Sequence, residues 1–548
     1  MQSSLESPLW PLAQRAGIVP YQLSAARLGA IAALAVGGDY LFWNENAGLN
    51  WLVYMALLVA AQLWLLPRHA PARRRASFWV ALGGCLLSGA AVAWYGSAAA
   101  RWAALGSGLL LTGLVNQPQL QLVSSAVGTA LLGVWPGLRA LLGSVRGPQQ
   151  AGEKLRRAWF YGRLLGVPLL ALVVFQSLFA LANPRYAALS AQLWNWLSEW
   201  LDRLLEAVSL PHLLFLLGCA VLATGALAAV PVYLLADREA PRGERVRRLR
   251  DGVASLQVRR PDFRAVPRRM LDLRKEWLAA MSCFGLLNLL LAAVNAVDIN
   301  WIWLGFRPAP GFDLTQFVHE GTYVLIFSIL LAAGIMLWFF RRNLNFYQPG
   351  LPWLRRGATL WVAQNGFLAL SVGLRNYYYI TYTGLAYKRI GVVAFLLLTL
   401  YGLGTLLLKI WRRRTLFSLL RLNSWAAYAV LLGLAVGNWE SWIAHYNLQP
   451  RFHTLDVGFL LRMPPRVLPV LLARQAVIAQ APELVEENEY GSYQRITLAR
   501  AQELLRQRAF DFRQQYPALD WQSRTGAAEA AYHALPNAEL RQPLAAGR

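Results

Sequence analysis

The chain has 548 residues, of which 57% are hydrophobic and 15% are charged. Soluble domains have roughly 45–50% apolar and about 25% charged residues, so the composition excludes an ordinary soluble protein. The formal net charge is +25, but the arginines lie in short segments between apolar blocks. We attribute this charge to loops at a lipid surface and expect no nucleic-acid partner.

The apolar residues fall in blocks of about 17–25, which is the length that crosses a hydrocarbon layer about 30 Å thick. This pattern predicts an all-α polytopic membrane bundle. The clear spans are Leu49–Leu66, Phe78–Tyr95, Tyr161–Ala182, Leu213–Ala236, Trp277–Val297, Thr322–Phe340, Ala358–Leu374, Ile390–Trp411 and Trp425–Ile443. Leu28–Trp43 and Trp102–Val115 are shorter spans. Val123–Trp135 is interrupted by Gly128, Gly133 and Pro136, and we expect it to enter the membrane without crossing.

Basic residues in the connecting segments predict the orientation, because cytoplasmic loops retain arginine and lysine. The basic segments are Pro67–Ser77, Arg139–Arg163, Asp237–Glu276, Arg341–Arg356 and Lys409–Arg421. Placing all of them in the cytoplasm requires about eleven crossings. Residues 1–27 then form a cytoplasmic segment, residues 28–447 the transmembrane domain and residues 448–548 an external soluble tail. The loop with Arg375, Lys388 and Arg389 is an exception to the charge rule.

Two segments are not expected to span the membrane. Polar and apolar residues lie on opposite faces of a helix over Tyr186–Ala207, which fits either an interfacial helix or a helix packed on its neighbours. The tail has mixed charge and is predicted to be mainly helical, most clearly over Tyr493–Phe512. The first residues, Met1–Leu23, lack the compact apolar run of a cleavable signal peptide.

Sequence motifs of catalysis are not evident. There is no phosphate-binding or dinucleotide-binding glycine pattern and no Gly-x-Ser-x-Gly elbow. Cys85, Cys219 and Cys283 are isolated, and His319-Glu320 is a pair and not a zinc-binding His-Glu-x-x-His. We therefore predict no cofactor and no metal, and a function other than catalysis is favoured.

Costly polar residues gather at the outer ends of the predicted helices, where side chains of this kind are candidates for function. They are Asp39, Asp298, His319, Glu320, Arg375, Tyr377, Tyr378, Asn438, Glu440 and His445. They predict either one external ligand site or a set of unconnected helix ends. An ion pair of Arg375 with Glu320 or Glu440 is expected. Gln364 and Asn365 lie deeper and either join helices by hydrogen bonds or line a permeation route.

A family resemblance lies in these same stretches. The matching segments are Val318–Tyr323, Leu374–Tyr378, Tyr382–Ile390, Asn438–Asn447 and Leu455-Asp456, with Asp39–Phe42 and Gly48–Asn50 near the start. Over about 28–472 the chain resembles a bacterial membrane family known as domain of unknown function 4173, which is related to domain 4153. The resemblance implies a bacterial multi-pass inner-membrane protein and carries no activity.

Three functions remain open at this point. A transporter or small-molecule-binding protein would use the outer polar residues and the route past Gln364 and Asn365. A membrane transferase for a lipid-linked envelope substrate would hold phosphate with Arg375 and use His319 or Glu320 as a base. A non-catalytic envelope sensor or assembly factor would contact a partner through the tail, and a tail packed over the helix ends would favour it over the transferase. Besides the lipid bilayer, the expected partner is therefore a small molecule or an envelope component on the outer side.

Overall fold

The computed structural model describes residues 22–145, 209–246, 273–304, 314–340, 343–487 and 493–535, and scattered positions between 164 and 196. For residues 314–323 it describes the backbone alone. The predicted span Tyr161–Ala182, the predicted helix Tyr186–Ala207 and residues 1–21 of the predicted cytoplasmic segment lie wholly or mostly outside the described residues.

The described part of the chain is a helical membrane bundle, which confirms the predicted fold class. Its helices are α1 Ala25–Phe42, α2 Leu49–Leu65, α3 Ala76–Tyr95, α4 Ala98–Asn116, α5 Val123–Val145, α6 Leu210–Leu227, α7 Leu234–Glu239, α8 Leu273–Asp298, α9 Leu314–Phe339, α10 Leu351–Thr383, α11 Tyr387–Arg412, α12 Leu416–Ala435, α13 Trp439–Asn447, α14 Val457–Leu461, α15 Leu468–Ala473, α16 Gln475–Gln480, α17 Leu498–Gln515 and α18 Gly526–Ala534. Short 3₁₀ turns add Pro71–Arg74, Asn343–Phe346, Pro465–Val467 and Trp521–Ser523, and a π-helix adds Ile299–Trp303.

Within the described residues, eight helices are long and apolar enough to cross a membrane: α1, α3, α4, α5, α6, α8 with its π-turn, α11 and α12. The apolar helices α2 and Val324–Phe339 are shorter. One face of α8 leaves Leu286, Leu289, Leu290 and Val297 between 61% and 72% exposed. Such apolar faces are stable against lipid and not against water, so the chain is a multi-pass membrane protein.

The chain divides into two compact units. The first contains residues 1–90, 104–120 and 125–236, and the second contains 91–103, 121–124 and 237–548. In the first unit α1 and α6 pack antiparallel. Arg27 at the start of α1 donates hydrogen bonds to the carbonyls of Leu227 and Ala228 at the end of α6. Gln62 of α2 donates to the carbonyl of Ala226 at 2.7 Å, which satisfies a buried amide.

Helix α5 departs from its sequence-based expectation. It continues through Pro136 without interruption, so the predicted break at the glycines and the proline is wrong. Its second half nevertheless stays at one end of the first unit. A Cβ at Gly137 would lie 3.2 Å from Ala228, and Ser144 accepts a hydrogen bond from Leu23 at 2.8 Å.

The second unit is built on α8 to α12. Trp277 of α8 donates to the carbonyl of Gly350 before α10, and Asn288 donates to the carbonyl of Gly357, so α8 and α10 run parallel. The buried core includes Phe284, Met336 and Leu354. Gly384 turns the chain into α11 with a φ of +88°, a conformation that favours glycine.

The C-terminal domain, residues 454–535, is helical but also contains a three-stranded sheet that the sequence did not predict. Strands β1 Thr454–Asp456 and β2 Glu483–Glu487 are parallel, with Leu455 opposite Leu484, and β3 Tyr493–Arg495 is antiparallel to β2. The segment Tyr493–Phe512, which was predicted to be helical throughout, therefore begins with strand β3, and its helix α17 starts only at Leu498. The predicted span Trp425–Ile443 also divides, because α12 ends at Ala435 and α13 starts at Trp439.

Candidate functional site

A buried ion pair joins the end of α8 to the parallel helix α10 in the second unit. Asp298 is the last residue of α8, and its Oδ1 accepts a hydrogen bond from Nη2 of Arg375 on α10 at 2.6 Å. The side chains are 3% and 10% exposed, respectively. Charges removed from water to this extent are tolerated only when they are paired, and within membrane helices they are candidates for function.

The π-helix after Asp298 holds this pair against α10. Trp303 donates from its indole nitrogen to the Ser371 hydroxyl at 3.0 Å, and its ring stacks on Phe367. The hydroxyl of Tyr378 donates to the carbonyl of Ile302 at 3.2 Å. Single-turn π-helices are rare and often mark functional sites, and here the π-turn places aromatic side chains beside the ion pair.

Below the ion pair, amide side chains continue the contact between α8 and α10. Asn295 donates from Nδ2 to the carbonyl of Gln364 at 3.3 Å, and Gln364 donates from Nε2 to Oδ1 of Asn288 at 2.9 Å. We call Asn288, Asn295, Asp298, Gln364, Ser371 and Arg375 the polar seam. The intervals are seven and three residues along α8 and seven and four residues along α10, spacings that keep the side chains on one face of each helix.

A second buried ion pair lies between α13 and the C-terminal domain. Glu440 on α13 pairs with Arg466, and the two side chains are 6% and 4% exposed. Tyr387 at the start of α11 lies close to the same carboxylate. Arg466 also donates to the carbonyl of Tyr95, which belongs to the second unit, and lies over its ring. The guanidinium thus contacts both a carboxylate and a backbone carbonyl of the second unit.

These contacts correct one of the two pairings predicted for Arg375. Arg375 pairs with Asp298, and the carboxylate of Glu440 pairs with Arg466 instead. The predicted pairing with Glu320 falls on a side chain outside the described residues. A phosphate held by Arg375 would lie beside the Asp298 carboxylate, and the repulsion between these like charges disfavours the transferase hypothesis. The backbone places His319 and Glu320 in the first turns of α9, but their side chains lie outside the described residues.

The other predicted residues take separate positions. Tyr377 is 59% exposed beside Tyr378, Asn438 precedes α13, and the exposed His445 lies next to the carbonyl of Ser441. Asn365 donates to the carbonyl of Trp361 in its own helix and not across helices. The structure thus brings Asp298, Arg375 and Tyr378 together, and it pairs Glu440 with Arg466.

Asp39 belongs to the first unit. Its carboxylate oxygens lie 2.9 and 3.0 Å from Nε2 of His212 at the start of α6, and the ring of Trp43 stacks on that histidine at 4.3 Å. The pair joins the end of α1 to the start of α6, where the two helices are antiparallel. It closes one end of this helix pair and is partly open to solvent.

Several residues of these sites, among them Asn288, Ser371, Arg466 and His212, were not predicted from the sequence. Asn288 carried a usable signal, because an amide seven residues before Asn295 marks a polar face on one helix. Arg466 and His212 carried none, since nothing in their neighbourhood indicates Glu440 or Asp39 as partners. Among the described residues, no three His, Cys, Asp or Glu side chains are grouped closely enough to hold a metal ion.

Comparison with known proteins identifies one family. The family described as Domain of unknown function (DUF4153) matches residues 28–473. This family is related to domain 4173, which the sequence segments resemble, so the predicted family relationship is confirmed at that level. No curated protein and no solved structure matches the chain.

Proposed function

The chain belongs to the family of the domain of unknown function DUF4153, and from this premise we propose that it is a membrane transporter or solute-binding protein that takes up a small polar molecule at its outer side. The family description names no activity, so the proposal depends on the geometry of the second unit.

The polar seam is the observation that carries this proposal. It runs from the Asp298–Arg375 pair, at the end of α8, down to Asn288 in the same helix and Gln364 in the 33-residue α10. Helix α8 is long and apolar enough to span a membrane. Polar groups are expensive at this depth unless they serve packing or a permeation route. A helix that changes to π geometry beside a buried charge resembles the interrupted helices of transporter sites.

We place the protein in a bacterial inner membrane with its N-terminus in the cytoplasm and its C-terminal domain outside. The support is the concentration of arginine in alternate connecting segments, including Pro67–Ser77 and Asp237–Glu276. The antiparallel packing of α1 on α6 agrees, because it puts the start of α1 and the end of α6 on the same side.

The orientation requires that helix α5 enters the membrane without crossing it, and the contacts of its second half support this. Residues from Gly133 to Ser144 stay at the end of the first unit that holds Asn116, Ala228 and Leu23. The remaining ten residues at 1.5 Å each reach about 15 Å, which is about half of the hydrocarbon thickness. The arginine-rich segment after α5 then lies in the cytoplasm with the others.

Solute uptake by the purified full-length protein in liposomes tests the proposal. We expect uptake of a polar solute by the wild type and at least about a tenfold loss in Arg375→Ala, since a buried carboxylate left unpaired costs several kcal/mol. Arg421→Ala is the matched control, because Arg421 pairs with the half-exposed Glu244 at 2.5 Å outside the seam. Uptake that is equal in wild type and Arg375→Ala contradicts the proposal.

The C-terminal domain favours a second candidate, a non-catalytic envelope sensor or assembly factor. Its core includes Leu460 and Leu505, and Leu385 and Ile390 at the turn between α10 and α11 pack against it. The tail is thus packed over the helix ends. If the protein is a sensor, substitutions on the exposed face of this domain, such as Tyr493→Ala, should abolish its function in cells. Arg375→Ala should then impair that function only by destabilising the protein.

A further inference from the structure

The polar seam presents hydrogen-bond acceptors that have no donor among the described side chains and backbone. They are Oδ1 of Asn295, Oε1 of Gln364 and Oδ2 of Asp298. Asn295 and Asp298 are 7% and 2% exposed, so bulk water does not satisfy them. A buried acceptor without a donor is unfavourable, which points to a bound molecule that supplies donors.

The hydrogen bonds determine which amide atoms are open. Asn288 faces the carbonyls of Phe284 and Gly357 at 2.7 and 3.1 Å, so that end of its amide must be the donating nitrogen. Its oxygen then requires the nitrogen of Gln364, which leaves the Gln364 oxygen open. Asn295 meets the carbonyl of Gln364 with its nitrogen for the same reason. Reversing any of these amides would set two acceptors against each other.

The charge of the described seam favours a neutral ligand. Asp298 and Arg375 cancel, and the other described members of the seam are uncharged amides and a hydroxyl. An additional ion would leave one charge without a counter-charge among these buried groups, which is strongly unfavourable. Hydroxyl donors of a neutral molecule satisfy open carbonyl and carboxylate oxygens without that cost.

The walls of the seam fit the same class of molecule. Leu291 on α8 and Leu368 on α10 are buried beside the amides, and Trp303 stacks on Phe367 at the outer end. Sites for small molecules are mostly apolar and aromatic, with a few polar groups that orient the ligand. Asn295 and Asp298 lie three residues apart on one helix, about 4.5 Å along its axis, so their oxygens can accept from neighbouring hydroxyls of one molecule.

We infer that the polar seam binds a neutral polyhydroxylated solute, with Asn295, Gln364 and Asp298 accepting hydrogen bonds from its hydroxyl groups. This inference rests on the proposed transport function and specifies its substrate class. The Arg375 guanidinium holds Asp298 in place, so Arg375 is a positioning residue for this ligand.

Osmotic swelling of liposomes that contain the full-length protein tests the inference. Glycerol, xylitol and sorbitol are compared with sodium chloride, glycine and sodium phosphate, and protein-free liposomes give the background. We expect polyol uptake above that background and none for the ionic and zwitterionic solutes. In Asn295→Ala and Gln364→Met, polyol uptake falls about three- to tenfold, as expected for a lost hydrogen bond.

Asn423→Ala is the matched control. Asn423 is an amide on α12 whose nitrogen donates to the Thr405 hydroxyl at 2.8 Å, outside the seam. It should retain wild-type uptake, and thermal unfolding in detergent verifies that each variant is folded. Asn295→Ala and Gln364→Met change different helices, so if one variant fails to fold, the other still tests the inference.

Each outcome decides a different point. Transport of sodium, glycine or phosphate without any polyol would overturn the substrate class and leave the transport proposal standing. Polyol uptake that is unchanged in both seam variants would show that the ligand does not bind the seam. A wild-type protein that moves none of the six solutes would overturn this inference, and transport itself would then fail if a wider set of solutes gave the same result.

Discussion

Arg466 in the C-terminal domain and Glu440 on α13 form an ion pair whose side chains are 4% and 6% exposed. Removing one partner of a buried pair leaves an uncompensated charge, whereas replacing both by apolar residues is often neutral. This pair therefore attaches the C-terminal domain to the helix end that precedes it. The attachment depends on charge balance, which makes it testable by paired substitutions.

We expect Arg466→Ala to destabilise the protein by about 3–5 kcal/mol. The double variant Arg466→Met with Glu440→Leu should recover most of this loss, apart from the hydrogen bond to the Tyr95 carbonyl, which is worth about 1 kcal/mol. Thermal unfolding in detergent of both single variants and the double variant measures the coupling. If the two single effects simply add, the pair does not hold the domain in the way we describe.

Sequence patterns were sufficient to predict the positions of most helices but not the partners in the ion pairs. Apolar blocks such as Trp277–Val297 and Ile390–Trp411 correspond to α8 and α11 within a few residues, because the length of a membrane span is set by lipid thickness. An interruption of an apolar block by glycine and proline was harder to interpret. Pro136 was expected to break α5, but neighbouring residues compensate for a missing N–H within membrane helices.

The partners in the candidate site could not be predicted, because tertiary packing selects them. Arg375 had several carboxylates at a similar level on other helices, and only the parallel packing of α8 on α10 brings Asp298 to it. Arg466 lies in a 3₁₀ turn between β1 and β2, and the pairing of these two strands was not evident from periodicity. The distribution of polar residues at helix ends was visible in the sequence, but the division into separate ion pairs was not.

The side of the membrane reached by the end of α5 is a direct test of the orientation. Gly143 is exposed, and a Cβ there meets no atom within 4 Å, so Gly143→Cys is a mild substitution. In a background with Cys85, Cys219 and Cys283 replaced by Ala, an impermeant maleimide should label Tyr493→Cys in intact cells. It should label Gly143→Cys and the control Arg74→Cys only after lysis.

Labelling of Gly143→Cys in intact cells would contradict our orientation for α5. It would mean that this helix crosses and that the arginines after it lie outside. The measurement separates the two topologies because Arg74 lies in the segment before α3, and its side is the same in both of them.

Acid should weaken the C-terminal domain through Glu529. Its pKa is lowered by a hydrogen bond from the Tyr516 hydroxyl at 2.6 Å, and His533 contributes through a contact at 3.2 Å. A carboxyl whose pKa is lower in the folded state stabilises fully above its unfolded pKa of about 4.3. That stabilisation is lost as the pH falls through the lower, folded value.

The measurement is thermal unfolding of the wild type and Glu529→Gln between pH 7 and pH 3. We expect the wild type to be the more stable at pH 7, with the difference shrinking below about pH 4.3. Glu503→Gln, an acid on α17 outside this contact, serves as the control and should follow the wild type. A difference between wild type and Glu529→Gln that stays constant with pH would contradict the assignment.

Gly384 should be the most sensitive glycine of the turn between α10 and α11. Its φ is +88°, and a Cβ there would lie 2.7 Å from Oδ1 of Asn447, the atom that accepts a hydrogen bond from the Leu385 amide. Gly384→Ala therefore combines backbone strain of about 1–3 kcal/mol with displacement of Asn447. Because Leu385 packs against the C-terminal core, the loss should loosen that domain as well.

Gly391→Ala on α11 is the matched control, since a Cβ there meets nothing within 4 Å and the position is helical. Alanine is favoured over glycine in a helix by up to about 1 kcal/mol, so this variant should be as stable as the wild type or more so. Thermal unfolding and limited proteolysis of the C-terminal domain compare the two. Equal stability of Gly384→Ala and Gly391→Ala would mean that the turn tolerates a side chain, and Asn447 would then not be the residue that holds it.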